Sequence, residues 1–579
     1  MRSRLSVLFV IGVLAALPGS ATAAPVPEGA EWSEATIASS NGVKLHADIL
    51  RPTHLPEDAQ TPVILSVGPY FNHSGQVGAA APTQGTSYDP VGPSEGPSDR
   101  FHDLIEGAGL MERGYTFVMV DLRGFGGSTG CLDWAGPGET ADVVNAVKWS
   151  ASQPWSTGKV GMYGKSYDGV TGLIGVNQRV PGLEAVVSQE PVYDLYRYLY
   201  GDGIRRLNSV LTPALYDLID MSPGPALDDP NYNVNAMNDT QRPGCPVLNF
   251  TDQAANDDHY SEYWRQRNLI PGATGSTVPL FLTQGLTENN TVADGTAQYM
   301  QNHDGYQRSW LGPWDHVRGN ERNSSGRLLM GREGFFDEVV RFYDRFLKGT
   351  TPSVEDPPHA VQTNDGKWRA EQEWPPADAV NYTTPLRVGS YQDDGQGNAT
   401  RTSDTNGVWT ISPRLQHDAH LAGSGKVVVD VATTRPNANL VVDVYDLDEF
   451  GIGPLVTRQG FLARSSGEKT LDLWAADWKI PAGHRIAVRV TDANRDWWAH
   501  TPLFDTVKVV GGSVTLPFLT YTRPDTIQGD PGTQLAGYLS RTISVPPETM
   551  RDSVTSSFAL PPAQQPRTTD SSGGGGGTD

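Results

Sequence analysis

The chain has 579 residues, of which 66 are acidic and 44 are lysine or arginine, for a net charge of −22; 38% are hydrophobic and 9% aromatic. Such a length exceeds one hydrophobic core and predicts roughly two to four domains of ordinary globular composition. The acidity excludes partners held through phosphate, since nucleic acid and anionic membrane surfaces would be repelled.

In chain order, the basic start Met1-Arg2-Ser3-Arg4 precedes an apolar run from Leu5 to Leu17 and the small residues Ala21-Thr22-Ala23. That is the pattern of a secretory signal over residues 1–23, with an apolar run shorter than the ~20 residues a membrane span needs. A secreted, extracellular protein free of the membrane after cleavage is expected. Its two cysteines, Cys131 and Cys245, are then candidates for a disulfide.

From Ala35 to Leu50 an alternating pattern is broken by Asn41-Gly42, a hairpin signal. Apolar strands without alternation follow at 63–67, 116–120, 160–163 and 183–187, separated by helical stretches such as 140–149. Strands of that kind alternating with helices predict an α/β fold with a parallel sheet covered on both faces. A stretch over 201–276, rich in Asn, Asp, Pro and Tyr, breaks the rhythm and reads as an inserted cap with a helical piece at 208–220. The rhythm returns at Val278–Leu282 and closes with a helix over 334–347, stopped at Lys348-Gly349. The first α/β part thus spans 32–200 and the second 277–352. Beyond Pro375, short alternating segments at 425–431, 440–444 and 485–490 predict an all-β sandwich over 376–525. A C-terminal extension, 526–579, ends in a low-complexity tail around Gly573–Gly577.

The chemistry is carried by Gly164-Lys165-Ser166-Tyr167-Asp168-Gly169, directly after the strand at 160–163. A serine between glycines at a strand end is the pattern of a nucleophile elbow, in which a tight strand-to-helix turn exposes the hydroxyl. Asp168 departs from the generic motif, which has glycine two residues after the serine. Serine hydrolysis also needs a base, an acid that orients it and donors for the oxyanion, and in this fold the order is serine, acid, histidine. His316, in Gly312-Pro313-Trp314-Asp315-His316, stands late and after a strand, with His303 as the competitor. Adjacent Asp315 is not expected to orient it, because neighbouring side chains diverge. Glu288, after the strand at 280–282, is the expected acid, with Asp294 as its rival. No metal-ligand spacing is present, and no cofactor is expected.

The elbow, the late Gly-Pro-Trp-x-His, the run Trp155-x-x-Gly158-x-Val160-Gly161-Met162, Asp121-Leu122-Arg123-Gly124 and Arg341–Gly349 together resemble the X-Pro dipeptidyl peptidase and cocaine-esterase group of serine hydrolases. The resemblance covers about Ala35 to Tyr521. It implies an α/β-hydrolase domain with an inserted helical cap and a C-terminal jelly roll. It also implies Ser166 as nucleophile, His316 as base, and Glu288 where the group usually has aspartate. The oxyanion donors it implies are the Tyr167 backbone N–H and the Tyr70 hydroxyl. The Lys165-Ser166-Tyr167 version of the elbow leans toward the X-Pro dipeptidyl-peptidase side of the group, so the resemblance implies a dipeptidyl-peptidase-like serine hydrolase that cleaves an amide or ester in a peptide or small-molecule substrate. A peptidase would need a carboxylate for the substrate's amino group, and related α-amino-acid ester hydrolases carry acidic residues directly after the acid. Here Asn289-Asn290-Thr291 stand there, so Asp194 and Asp202 are the remaining candidates. An acyl esterase without peptidase activity is the alternative, and a non-catalytic polymer-binding protein is the reading from another class. Oligomeric state is not read from the sequence.

Overall fold

The computed structural model describes residues 26–71, 96–98, 100–220, 245, 252–253, 255–396, 406–523 and 526–566. The expected signal segment, the glycine-rich tail and much of the insertion lie outside the described residues. Strands β1 (Ala30–Ala38) and β2 (Lys44–Pro52) pair antiparallel across a turn in which Asn41 and Gly42 take φ of +59° and +75°. Those are the two residue types that enter the left-handed region at least cost.

The α/β part continues through β3 (Thr61–Gly68), α1 (His102–Gly107), β4 (Thr116–Asp121), α2 (Pro137–Ser152), β5 (Ser156–Lys165), α3 (Tyr167–Gln178) and β6 (Leu183–Gln189). Before the expected insertion comes α4 (Leu195–Leu199), the hairpin β7 (Tyr200–Gly201) and β8 (Ile204–Arg205) leads into it, and the insertion itself contributes α5 (Thr212–Asp220) and α6 (Glu262–Arg265). The main sheet resumes with β9 (Leu280–Gly285), α7 (Thr296–Asn302), β10 (Gln307–Gly312) and α8 (Phe335–Leu347). Residues 353–375, left between the two expected domains, add β11 (His359–Gln362) and β12 (Trp368–Glu371) to the same sheet.

Among the described residues that sheet has eleven strands, in the order β1-β2-β4-β3-β5-β6-β9-β10-β11-β12 with Thr526–Ile527 at its edge. From β4 to β11 neighbouring strands run parallel, so the ends of β3, β5, β6, β9 and β10 open on one edge. Both faces are buried. Val63, Leu65 and Val67 of β3 pack into the core with α2 and α3, while Ile64 joins the opposite core with α1 and α8. This two-sided burial is why these strands read as unbroken apolar runs. Each such side chain contributes about 1.5–3 kcal/mol. Helix α8 is further pinned by the Tyr343 hydroxyl, which donates to the Met162 carbonyl at 2.6 Å.

The C-terminal part is built from two antiparallel sheets. Among the described residues one holds seven strands around Asp505–Leu519, and the other holds Val408–Ile411, Arg485–Thr491, Ala438–Leu447, Ile452–Ala463 and Thr542–Ser544. Apolar residues from both sheets, among them Val429, Val442, Val488 and Phe518, form one shared core. The extension is therefore split between the two parts, since Thr526–Ile527 pairs with β12 and Thr542–Ser544 with Ile452–Ala463. The parts are joined by Arg369 of β12, whose Nη1 donates to Asp477 at 2.9 Å. No helix among the described residues is long and apolar enough to cross a membrane.

Candidate active site

Ser166 sits between β5 and α3 with φ +64° and ψ −123°, a conformation that costs a non-glycine residue about 1–3 kcal/mol and is typical of a nucleophile elbow. The turn closes because its glycines leave room: a Cβ on Gly164 would fall 2.2 Å from the Asp168 carbonyl, and one on Gly169 3.0 Å from the Gln189 carbonyl. The departure at Asp168 has the same kind of explanation. Its carboxylate fills space that Gly68 vacates, where a Cβ would lie 1.8 Å from Asp168 Oδ1. It also accepts from Arg100 Nε at 2.9 Å. Burial pushes Asp168 up to about 6, against the pull of Arg100.

Tyr70 follows β3, and its hydroxyl hydrogen-bonds the hydroxyl of Tyr216 on α5 and is close enough to Ser166 to feel its side chain. Burial, reinforced by Asp168, pushes the Tyr70 phenol up to about 12, so at neutral pH it keeps its proton and can donate it in a hydrogen bond. The Arg100 guanidinium lies 4.4 Å from its ring centroid. Tyr167 opens α3, and its backbone N–H points from the helix N-terminus, where donors are unpaired and the dipole favours an anion. Its side chain is held elsewhere, donating to Glu139 Oε2 at 2.7 Å. Tyr216 packs between Trp134, at 4.9 Å, and Tyr167, at 5.3 Å between centroids. Trp134 lies close in sequence to Cys131, whose sulfur is bonded to that of Cys245 in the insertion, the Cα atoms 5.6 Å apart. Thiol titration of the denatured, unreduced protein is expected to find no free cysteine. Bridging positions 114 residues apart adds about 4–5 kcal/mol in the chain-entropy account. Reduction should therefore lower Tm.

On the same sheet edge, His316 Nδ1 lies 2.5 Å from Glu288 Oε1. With Nδ1–H donated to the carboxylate, Nε2 is left as the basic nitrogen. Glu288 is fully buried; burial works to raise its pKa, but His316, Glu190 and Thr291 outweigh it and hold the carboxyl at about 2. Its Oε1 also accepts from the Thr291 backbone and hydroxyl at 2.9 and 2.6 Å, and Oε2 from Gln284 Nε2 at 2.8 Å. Lys165, adjacent to Ser166, ties elbow and histidine loop together by donating to the His316 carbonyl at 3.1 Å.

The rivals go elsewhere. His303 is buried and donates from Nε2 to the Val278 carbonyl at 2.8 Å, while Asp294 accepts from Arg197 at 2.7 Å and from Gln459 at 3.1 Å. Asp315 accepts from the His316 backbone N–H at 2.9 Å, leaving the ring to Glu288. The two residues expected to bind a substrate amine are also engaged. Asp194 caps α4, receives His259 Nε2 at 2.8 Å and faces Arg197 at 3.6 Å; Asp202, in the β7–β8 turn, is 4.0 Å from His259 Nδ1. A capping aspartate before a helix has this structural use ready-made.

The loop that follows Glu288 rests on the C-terminal part. Buried Arg206 donates to the carbonyls of Asn289 at 3.0 Å and Asn290 at 3.1 Å, and lies over Trp474 at 5.5 Å. Val292, strained at φ +63°, packs into a cluster with Trp474, Trp497 and Trp498. Reading the sequence does not find Arg206, Tyr216 or Glu190, because none sits in a local motif.

Two family models match in tandem: X-Pro dipeptidyl-peptidase (S15 family) over residues 41–318, and the X-Pro dipeptidyl-peptidase C-terminal non-catalytic domain over 352–534. The chain belongs to this family. It is a serine hydrolase with an α/β-hydrolase fold and a C-terminal β domain. A protein of Streptomyces avermitilis, provisionally named a Xaa-Pro dipeptidyl-peptidase, is 23% identical over 557 residues, covering 78% of this chain and 77% of its own. The cocaine esterase of Rhodococcus sp. strain MB1 Bresler is 26% identical over 411 residues, covering 66% and 65%. Among solved structures, a CocE/NonD family hydrolase from Staphylococcus aureus shares the fold with a TM-score of 0.63 at 17% identity, covering 84% of this chain and 94% of that one.

Proposed function

We propose that the protein is a secreted acyl hydrolase in which Ser166 attacks an ester or amide carbonyl. His316 takes the serine proton, Glu288 orients His316 and balances the imidazolium, and an acyl-enzyme is then hydrolysed by water. Tyr70 and the Tyr167 N–H hold the oxyanion. The observation that carries this reading is the 2.5 Å contact between His316 and Glu288 on the sheet edge that also holds the strained Ser166. The jelly-roll domain backs the acid loop, and residues 1–23 direct export.

The substrate is a small molecule, and an ester suits the site better than a dipeptide. Asp194 is committed to His259 and Arg197, Asp202 lies 4.0 Å from His259, and the carbonyls after Glu288 face a buried arginine rather than an amine. X-Pro dipeptidyl-peptidase activity, the second reading, follows the family models and the Streptomyces relative. Comparing kcat/KM for an activated acyl ester with free and N-acetylated X-Pro-anilides separates them. The ester is expected to be cleaved and the two anilides to be equal, poor substrates. A strong preference for the free amine would establish the peptidase.

Tyr70→Phe removes one hydroxyl and keeps the ring. Loss of a single oxyanion donor costs about 3 kcal/mol, so kcat on the ester is expected to fall roughly a hundredfold or more. An unchanged kcat would leave Tyr70 a packing residue.

A further inference from the structure

We propose that Glu190 is a positioning residue of the reaction: it shares one proton with Glu288, so that the buried pair carries a single negative charge and turns one fixed carboxylate oxygen to His316. The inference rests on Glu288 being the acid, and adds a residue to that machinery.

Glu190 follows β6 directly, is fully buried, and takes φ +47°, a strained conformation for a side chain of its size. The strain aims its carboxyl along the sheet edge toward the neighbouring β9. There Oε2 accepts from the Gly285 N–H at 2.7 Å, and Oε1 from Trp314 Nε1 at 3.0 Å and the Thr283 hydroxyl at 3.3 Å. Trp314 belongs to the loop that carries His316, so one side chain fastens both the acid strand and the base loop. The Gln284 amide sits between the two carboxyls, 3.3 Å from Glu190 Oε2 and 2.8 Å from Glu288 Oε2, which places the two buried acids side by side.

Two carboxylates in such contact, both out of water, cannot both ionise. The charge stays on Glu288, which has His316 and the Thr291 donors, and the proton stays with Glu190, whose pKa burial and the Glu288 charge raise well above the carboxylate range. The other titratable groups around Glu190 are Lys165, itself buried beside Glu321, and Tyr193, whose hydroxyl donates to Gln284 Oε1 at 3.1 Å. A second full negative charge would over-stabilise the imidazolium and hinder proton return to the leaving group. The shared proton prevents that and keeps Glu288 Oε1, held also by Thr291, turned to His316.

The test uses the full chain with E190Q, E190A and E288Q. A glutamine offers an N–H where the protonated acid offers O–H, so E190Q should keep kcat within about threefold. E190A removes the acceptor for Trp314 and Gly285, and a small displacement of the base costs about a hundredfold in kcat. KM should hardly change. Infrared difference spectra at neutral pH should show a carboxylic-acid C=O band present in the wild type and missing from E190Q, a readout that needs neither turnover nor a stable E190A. E190Q as inactive as E190A, E190A at the wild-type rate, or no such band would each overturn the proposal. A fully active E288Q overturns the acid assignment beneath it, whereas an inactive E288Q with no Glu190 band overturns the shared proton alone.

Discussion

Ser166→Ala is expected to lower kcat on an activated ester by about a millionfold while leaving the fold and Tm close to wild type. In the proposed reaction the hydroxyl is the bond-forming group, and the elbow's strained backbone is held by Gly164 and Gly169 rather than by the serine side chain. His316→Ala should cost a similar factor, and the double variant should be no worse than either alone, because nucleophile and base act as one unit. A residual rate above that in water should remain, from Tyr70, the Tyr167 N–H and substrate binding. Additive losses would show that His316 does not serve Ser166. Steady-state rates on one ester for the three variants decide it.

Glu288→Gln should lower kcat about ten-thousandfold. The amide keeps the shape but replaces the acceptor facing His316 Nδ1, so the imidazole can settle in the tautomer whose Nε2 cannot accept the serine proton. Asp294→Asn is the control. Asp294 lies nearby in sequence but is committed to Arg197 and Gln459, so its loss should touch stability rather than kcat. The reverse ranking would move the acid to Asp294.

How much of this could be read before the structure depended on how local each signal is. The elbow and the histidine loop are short motifs whose glycines do specific steric work within a few residues, so Ser166 and His316 stood out. Glu288 was reachable because an acid is required after the strand preceding the base. Glu190 was not: it ends a buried strand like any other residue, and only the parallel pairing of β6 with β9 brings it to Glu288. Tyr216 lies on the helical piece legible at 208–220, but no local signal says that its hydroxyl meets Tyr70, which only the placement of that helix decides. Strands β11 and β12 are four residues each, too short for periodicity to show, and their place in the main sheet follows from pairing with β10 and with Thr526–Ile527. Asp194 reads from the sequence as a candidate for a substrate's amino group, although a cap before a short helix is the simpler use for it.

The central claim is that Ser166 is the activated nucleophile, and labelling with a serine-directed fluorophosphonate tests it most directly. One adduct per chain is predicted, located on Ser166 by peptide mass analysis, formed in step with loss of esterase activity and absent from His316→Ala over the same period. Complete inactivation with the adduct on another residue, or full esterase activity in a protein that takes no label, would contradict it.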